Sequence, residues 1–273
     1  MKTQTKKPSI TLKLCESAIM IALATILSLL KLVDLPYGGS ITFASMLPIL
    51  LIAYRHGTAW GLLTGLVHGT MQFILGTSVL SYVTGFASVC AVIVLDYVLA
   101  FALIGFGGAF KKMNSQRTAL VLGALLAGAL RYACHVISGA TVWAGLSIPT
   151  ASALSYSFVY NATYMLPEAI VLCIAAFYIG SVLNFTTPRL SPIKKQEGLR
   201  LGWLSYIGGA AALAALVYDV AAVFSKLQNA ESGEFDITGI AYVNWSSVII
   251  VTVAGAVVAL AFAILPRILS KKE

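Results

Sequence analysis

The chain has 273 residues, of which 59% are hydrophobic and 10% charged, against roughly 45–50% and about 25% in an ordinary soluble domain. A mean hydropathy of +0.90, gathered in long uncharged blocks, excludes a water-soluble globule and makes this an integral membrane protein. The net charge of +8 would point to nucleic acid in a soluble protein, but here the lysines and arginines fall between apolar blocks, where they set topology.

Eight apolar segments follow in chain order: 12–33, 41–54, 58–75, 79–107, 118–146, 153–183, 201–226 and 239–266. Most can span a bilayer. The second is short for a core of about 30 Å at a rise of 1.5 Å per residue, so it begins earlier or enters the membrane at an angle. Lys2, Lys6 and Lys7 ahead of the first segment resemble the charged start of a signal peptide. No small-residue cleavage site follows, so the segment reads as a retained helix.

Charge counting orients the bundle. With the N-terminus in the cytoplasm, the inner stretches hold Lys2, Lys6, Lys7, Lys13, Arg55, Lys111, Lys112, Arg117, Arg189, Lys194, Lys195, Arg200, Arg267, Lys271 and Lys272, which is 15 of the 18 basic residues. The outer loops hold Lys31 and Lys226 beside Asp34, Glu231, Glu234 and Asp236, the asymmetry the positive-inside rule expects. Both termini then lie in the cytoplasm. The stretch 186–200 (TTPRLSPIKKQEGLR) is the only long, polar, proline-bearing linker on the inner side. The expected architecture is therefore all-α: a six-helix membrane core over 1–187, a cytoplasmic linker at 188–200 and a two-helix extension over 201–273.

Sequence motifs exclude several chemistries. There is no GxxxxGK phosphate loop, no HExxH zinc motif and no GxSxG nucleophile elbow, so the chain does not hydrolyse ATP itself, and no catalytic residue or metal site is assigned. Cys15, Cys90, Cys134 and Cys173 lie in apolar stretches with no CxxC pair and read as small buried apolar residues. The glycines of GFGGAF (105–108) have no preceding strand and end a helix. Gly57, Gly61, Gly65 and Gly69 recur every four residues, a ridge without side chains that serves either packing inside the bundle or docking to a partner helix. Ala18 and Ala22 form a similar pair on the first segment.

Ionisable residues within the apolar segments are the sharper signal, because each costs about 2.5–3.5 kcal/mol at mid-bilayer on insertion scales unless paired or facing a cavity. These are Asp96, Arg131, His135, Glu168 and Asp219. Arg131, His135, Gly139 and Trp143 recur every four residues and form one stripe on the fifth helix. Asn161 and Glu168 stand seven apart on the sixth, and Asp96 adjoins Tyr97 on the fourth. A bare ion pair with Arg131 accounts for one carboxylate without accounting for the aromatic company. A carboxylate with Tyr97, an imidazole, an indole, Tyr156 and Asn161 suit a flat, cationic, nitrogen-rich ligand: aromatic faces attract cations, and amide and carboxylate groups read ring nitrogens and amino groups. Trp143 and Tyr156 equally fit an interfacial aromatic belt.

At these residues the sequence resembles the thiamine-specific substrate-binding subunit, or S component, of energy-coupling factor transporters. The matching stretches are LPYGGSITFASMLPILLIAYRHG (35–57), GLLTGLVHGTMQ (61–72), LDYVLAF (95–101), RYACHVISGATVW (131–143) and YSFVYNATYMLPE (156–168), in the family's order and across nearly all of the six-helix core. The resemblance implies a six-helix vitamin-binding fold with thiamine as transported ligand rather than cofactor, captured outside the cell beneath the loop joining the first two helices. It implies Asp96, Tyr97, His135, Gly139, Trp143, Tyr156 and Asn161 as ligand contacts, and Ala18 and Ala22 as the surface that meets a transmembrane coupling subunit, with two cytoplasmic ATPases completing the importer. Two departures stand out: Asp96 replaces a glutamate found in some members, and Tyr37, Gly38 and Gly39 stand where some members carry a loop tryptophan, leaving Tyr37 as the candidate lid residue.

Two competing readings keep their own signatures. An ion-coupled secondary transporter of a small cationic or heterocyclic metabolite would use Asp96, His135 and Glu168 as a proton relay, but the sequence has no internal repeat of the kind such folds show. An intramembrane enzyme built on His135 and Asp96 would need a nucleophile or metal set nearby, and none has suitable spacing. An S component for another vitamin keeps the fold and changes the ligand.

Overall fold

Apolar segments of this length must satisfy their backbone N–H and C=O groups internally, and the computed structural model of the chain is built chiefly of helices. It describes residues 8–35, 39–145, 150–187, 189–193, 204–227 and 236–269. Helix α1 (Ile10–Leu29) starts on Ser9, whose hydroxyl accepts the Leu12 N–H at 3.2 Å. An antiparallel hairpin follows, β1 (Lys31–Asp34) and β2 (Ser40–Thr42), with Lys31 opposite Thr42 and Asp34 opposite Ser40. Helix α2 (Leu47–His56) has Pro48 in its first turn and stops at Gly57, whose φ of +101° lets α3 (Thr58–Leu75) begin at once.

A 3₁₀ turn (Thr77–Tyr82) leads to α4 (Phe86–Phe110), whose winding changes along its length. It is α-helical over Phe86–Ala91, π-helical over Val92–Leu99, α-helical over Ala100–Ala102 and 3₁₀ over Leu103–Phe110. Helices α5 (Gln116–Gly145) and α6 (Thr150–Val182) complete this unit, and a two-residue strand, β3 (Leu183–Asn184), pairs with β4 (Ser191–Pro192). The first compact unit ends at Ile193. The second, from Lys194, contains α7 (Leu204–Leu227), a 3₁₀ turn (Ile237–Tyr242) and α8 (Trp245–Leu269). Within it Gly255 packs against Ala215, and the Thr252 hydroxyl donates to Asp219 Oδ2 at 2.6 Å, so the intramembrane acid of α7 finds a neutral donor on α8.

Six of these helices, α1, α4, α5, α6, α7 and α8, are long and apolar enough to cross a bilayer; the chain is a multi-pass, all-α membrane protein. Two expected segments change. Residues 31–33 leave the first segment to join β1, and 41–46 form a strand end and a turn, so α2 keeps 10 residues. At 1.5 Å per residue that is about 15 Å, half a bilayer core. Cys15 also departs from expectation: it is exposed on α1 rather than buried, because α1 turns most of its surface outward and buries only Ser17 and Ala24.

The glycine ridge of α3 is internal packing. Gly65 meets the Phe101 carbonyl and Ala102, and Gly69 meets the Tyr97 carbonyl and Phe101, so α3 and α4 approach at a distance no side chain would permit. Ala18 and Ala22 lie on the exposed face of α1, beside Leu14, Ile19, Leu23 and Ile26. One polar cluster ties the N-terminal half of α1 to its neighbours. Arg55 grips Glu16 with both arms (Nε–Oε2 2.6 Å, Nη2–Oε1 2.8 Å) and donates from Nη1 to the carbonyls of Thr187 at 2.8 Å and Phe185 at 3.2 Å; His56 Nε2 is 2.7 Å from Glu16 Oε2. The fork geometry joins α1, α2 and the exit of α6 at one point.

Candidate ligand-binding site

At the other end of α1 the helices part around a cavity of about 300 Å³, within the range of small-molecule sites. Its walls come from the C-terminal end of α1, the β1–β2 hairpin, the C-terminal end of α3 and the middle of α4, α5 and α6. The π-helical turns of α4 carry Asp96 and Tyr97; such widened turns are rare and concentrate at functional sites.

Asp96 and His135 form the polar centre. His135 Nδ1 lies 2.7 Å from Asp96 Oδ1, and the Ser138 hydroxyl donates to Oδ2 at 2.7 Å. A ring that donates from Nδ1 to the carboxylate keeps Nε2 available as an acceptor. That nitrogen is buried and has no hydrogen-bond partner among the described residues, which marks it as the atom a ligand would engage.

Asn161 is 4% exposed and its amide is committed to the protein. Nδ2 donates to the Ser157 carbonyl at 2.8 Å and the His135 carbonyl at 3.2 Å, while Oδ1 accepts from the Tyr164 hydroxyl at 2.5 Å. Asn161 thus fixes α5 against α6 beside His135. Gly139, one turn beyond His135, makes this approach possible: a Cβ there would collide with Ser157 Oγ and stand 3.3 Å from Asn161 Nδ2.

Tyr97 reaches the cavity with its ring, while its hydroxyl donates to the Gly76 carbonyl at 3.0 Å. Tyr156 does not line the cavity; it stacks at 6.5 Å on Tyr160, which does, and Tyr160 in turn meets Tyr164 edge-on at 5.9 Å. Trp143 belongs to α5, but its side chain lies outside the described residues, as does Tyr37 altogether. Five of the seven expected contacts, Asp96, Tyr97, His135, Gly139 and Asn161, therefore line one cavity.

The remaining polar lining forms a second cluster. Glu168 is 2% exposed, accepts the Thr42 hydroxyl at 2.7 Å, and faces Arg131 Nη1 at 3.4 Å. The Arg131 guanidinium also lies 4.4 Å from the centre of the Phe101 ring. The two carboxylates of the cavity therefore belong to separate sets of partners, Asp96 with His135 and Ser138, Glu168 with Arg131 and Thr42.

Comparison with known proteins decides the family. Residues 14–187 match the family model described as thiamine transporter protein. The chain belongs to the thiamine transporter protein family. It is 38% identical over 194 residues to the thiamine transporter ThiT of Bacillus subtilis, an alignment covering 65% of this chain and 93% of the relative. Its fold is similar to a solved structure of ThiT from Listeria monocytogenes (TM-score 0.51, 26% identity), over 62% of this chain and 93% of that one. The family match ends at 187, so the second unit, from Lys194, lies beyond it.

Against the family frame, sequence reasoning missed Tyr160, Tyr164, Thr42 and Ser45 as cavity residues. The tyrosines had a signal: 156, 160 and 164 repeat every four residues, one face of α6. The hydroxyls had none, because their meaning depends on a carboxylate more than 120 positions away. Arg131 and Glu168, which stand out in the sequence as intramembrane charges, also line the cavity.

Proposed function

We propose that this thiamine transporter protein is the substrate-binding subunit of an ATP-driven importer, capturing thiamine with high affinity from the extracellular side and delivering it through a membrane coupling protein and two cytoplasmic ATPases. The observation that carries the reading is the Asp96–His135 pair, with one imidazole nitrogen unengaged, in a cavity edged by Tyr97, Tyr160 and Tyr164. Thiamine joins a permanently cationic ring to an aminopyrimidine. The aromatic walls and the Asp96 carboxylate suit the cation, and His135 Nε2 suits an amino N–H. Tyr97, Gly139, Trp143 and Asn161 complete the proposed contact set, Asn161 and Gly139 by shaping the wall and Trp143 by stacking, while Tyr156 acts indirectly by backing Tyr160. The Asp96 carboxylate also offsets the desolvation of a cation entering the cavity.

Orientation follows from charge. The Glu16–Arg55–His56 cluster and the cavity lie toward opposite ends of α1, and the basic bias of the loops supports a cytoplasmic cluster end, with both termini, and a cavity open to the outside. The exposed face of α1 around Ala18 and Ala22 is then the docking surface for the coupling protein. The second unit is an extension without an assigned role.

The test is binding by the purified protein. Titration with thiamine should saturate and quench tryptophan fluorescence, and Trp143→Ala should weaken binding more than tenfold, about 1.4 kcal/mol. Saturable binding of riboflavin or biotin with none of thiamine would replace the ligand and keep the fold. Gradient-driven accumulation in liposomes containing this chain alone would refute the subunit reading in favour of an ion-coupled carrier.

A further inference from the structure

Glu168 stands apart from the proposed thiamine contacts, yet it is among the most enclosed polar side chains of the first unit, at 2% exposure. An ionised carboxylate so placed is costly unless its oxygens are engaged. They are, and in opposite directions. Oε2 faces Arg131 Nη1 on α5 at 3.4 Å, whereas Oε1 accepts from Thr42 Oγ1 at 2.7 Å and lies 3.4 Å from Ser45 Oγ. Thr42 closes β2, and Ser45 stands in the turn that opens α2.

That turn is strained. Ala44, between the two hydroxyl residues, has a φ of +53°, the one non-glycine residue in the left-handed region among the described residues. A left-handed alanine costs roughly 1–2 kcal/mol and persists where its surroundings hold it. Those surroundings are its burial, at 6% exposure, the Thr42 and Ser45 hydroxyls 2.8 Å apart, the Ser45 N–H approaching Thr42 Oγ1 at 3.4 Å, and both hydroxyls against Glu168. Thr42 and Ser45 both line the cavity, as do Arg131 and Glu168. On α5, Arg131 lies one turn before His135, on the same face.

We infer that Glu168 is a positioning residue: acting through Thr42 and Ser45, it pins β2 and the turn into α2 against α6, and so fixes the cavity wall that retains a bound ligand. The carboxylate has two arms for this purpose. Arg131 orients it from α5, and the hydroxyls transmit that position to the hairpin. Glu168 touches the ligand in no part of this role.

The binding readout rests on the thiamine reading above; a second readout does not. In stopped-flow measurements, Thr42→Val, which keeps the shape and removes the donor, accelerates thiamine dissociation at least fivefold while association stays within twofold. Thr42→Ser restores the wild-type rate. Glu168→Leu, which removes both acceptor oxygens, accelerates dissociation as well, and adding Thr42→Val to it produces no further change, because the arm is already lost. Unchanged dissociation in Thr42→Val, or additive effects in the double variant, would overturn the inference. Hydrogen exchange on the ligand-free protein separates this from failure of the ligand reading. Faster exchange of amides 40–45 in both Thr42→Val and Glu168→Leu, with unaltered exchange across α7, supports the pin even if thiamine is not the ligand, and unchanged exchange there in Glu168→Leu rejects it.

Discussion

Among the described residues His135 is held by one nitrogen and has no partner at the other, and both halves of that arrangement are set by neighbours. Asp96 fixes Nδ1, Asn161 grips the His135 carbonyl, and Gly139 lets α6 approach closely enough for Asn161 to reach it. Two substitutions separate these contributions. Asp96→Asn preserves the shape but removes the charge that orients the imidazole and attracts a cation; a hydrogen bond to a charged group is worth about 1.5–3 kcal/mol, so thiamine binding measured by calorimetry should weaken roughly 10- to 150-fold. An uncharged isostere of thiamine should lose less, since it never used the charge. Gly139→Ala acts by volume. The added methyl displaces Ser157 and through it Asn161, and overpacking of this kind costs about 1–3 kcal/mol. We expect a lower unfolding temperature and weaker binding together, with Gly139→Ser no better than Gly139→Ala.

At the scale of elements, the helices α1, α3, α5 and α6 were legible in the sequence because apolar runs bounded by glycine, proline or charge report them directly. Arg131, His135 and Gly139 of the four-residue stripe share one cavity wall, since a helix converts spacing into a face. What periodicity does not report is a change of winding or a short strand. The π-helical turns under Asp96 and Tyr97 are as apolar as α-helix, and the hairpin before α2 spends only four and three residues on its strands. The clamp of Thr42 on Glu168 joins residues 126 apart, a pairing that local pattern does not encode. The Glu16–Arg55 fork belongs to the same class of contact, and it predicts a separation of functions. Arg55→Lys keeps the charge and loses the fork, so thermal stability should fall by about 1–3 kcal/mol. From Glu16 to Ser28, which lines the cavity, α1 rises about 18 Å; thiamine affinity should therefore stay within threefold. A large loss of affinity in Arg55→Lys would show instead that the two ends of α1 are coupled.

At the scale of the molecule, the family match and the compact first unit end within a few residues of each other, at 187 and Ile193. The ThiT relative from Bacillus subtilis is covered over 93% of its own length by 65% of this chain, so a protein of that name has almost no counterpart to α7 and α8. Every cavity residue lies in the first unit. Within the second, the long pair of helices packs chiefly through small residues, Gly255 on Ala215 and Gly208 on Ala259, the close-approach packing that stabilises a helical hairpin in lipid without a larger core. Each unit thus has its own internal contacts. A chain ending at Ile193 should insert, remain monodisperse in detergent and bind thiamine within threefold of the full-length Kd. If the extension serves only the proposed importer, the loss will appear in energised uptake by cells carrying the partner subunits, with binding intact. A truncated protein that folds, as judged by helical circular dichroism, but binds tenfold more weakly would place α7 and α8 in support of the cavity and reject their separation from it.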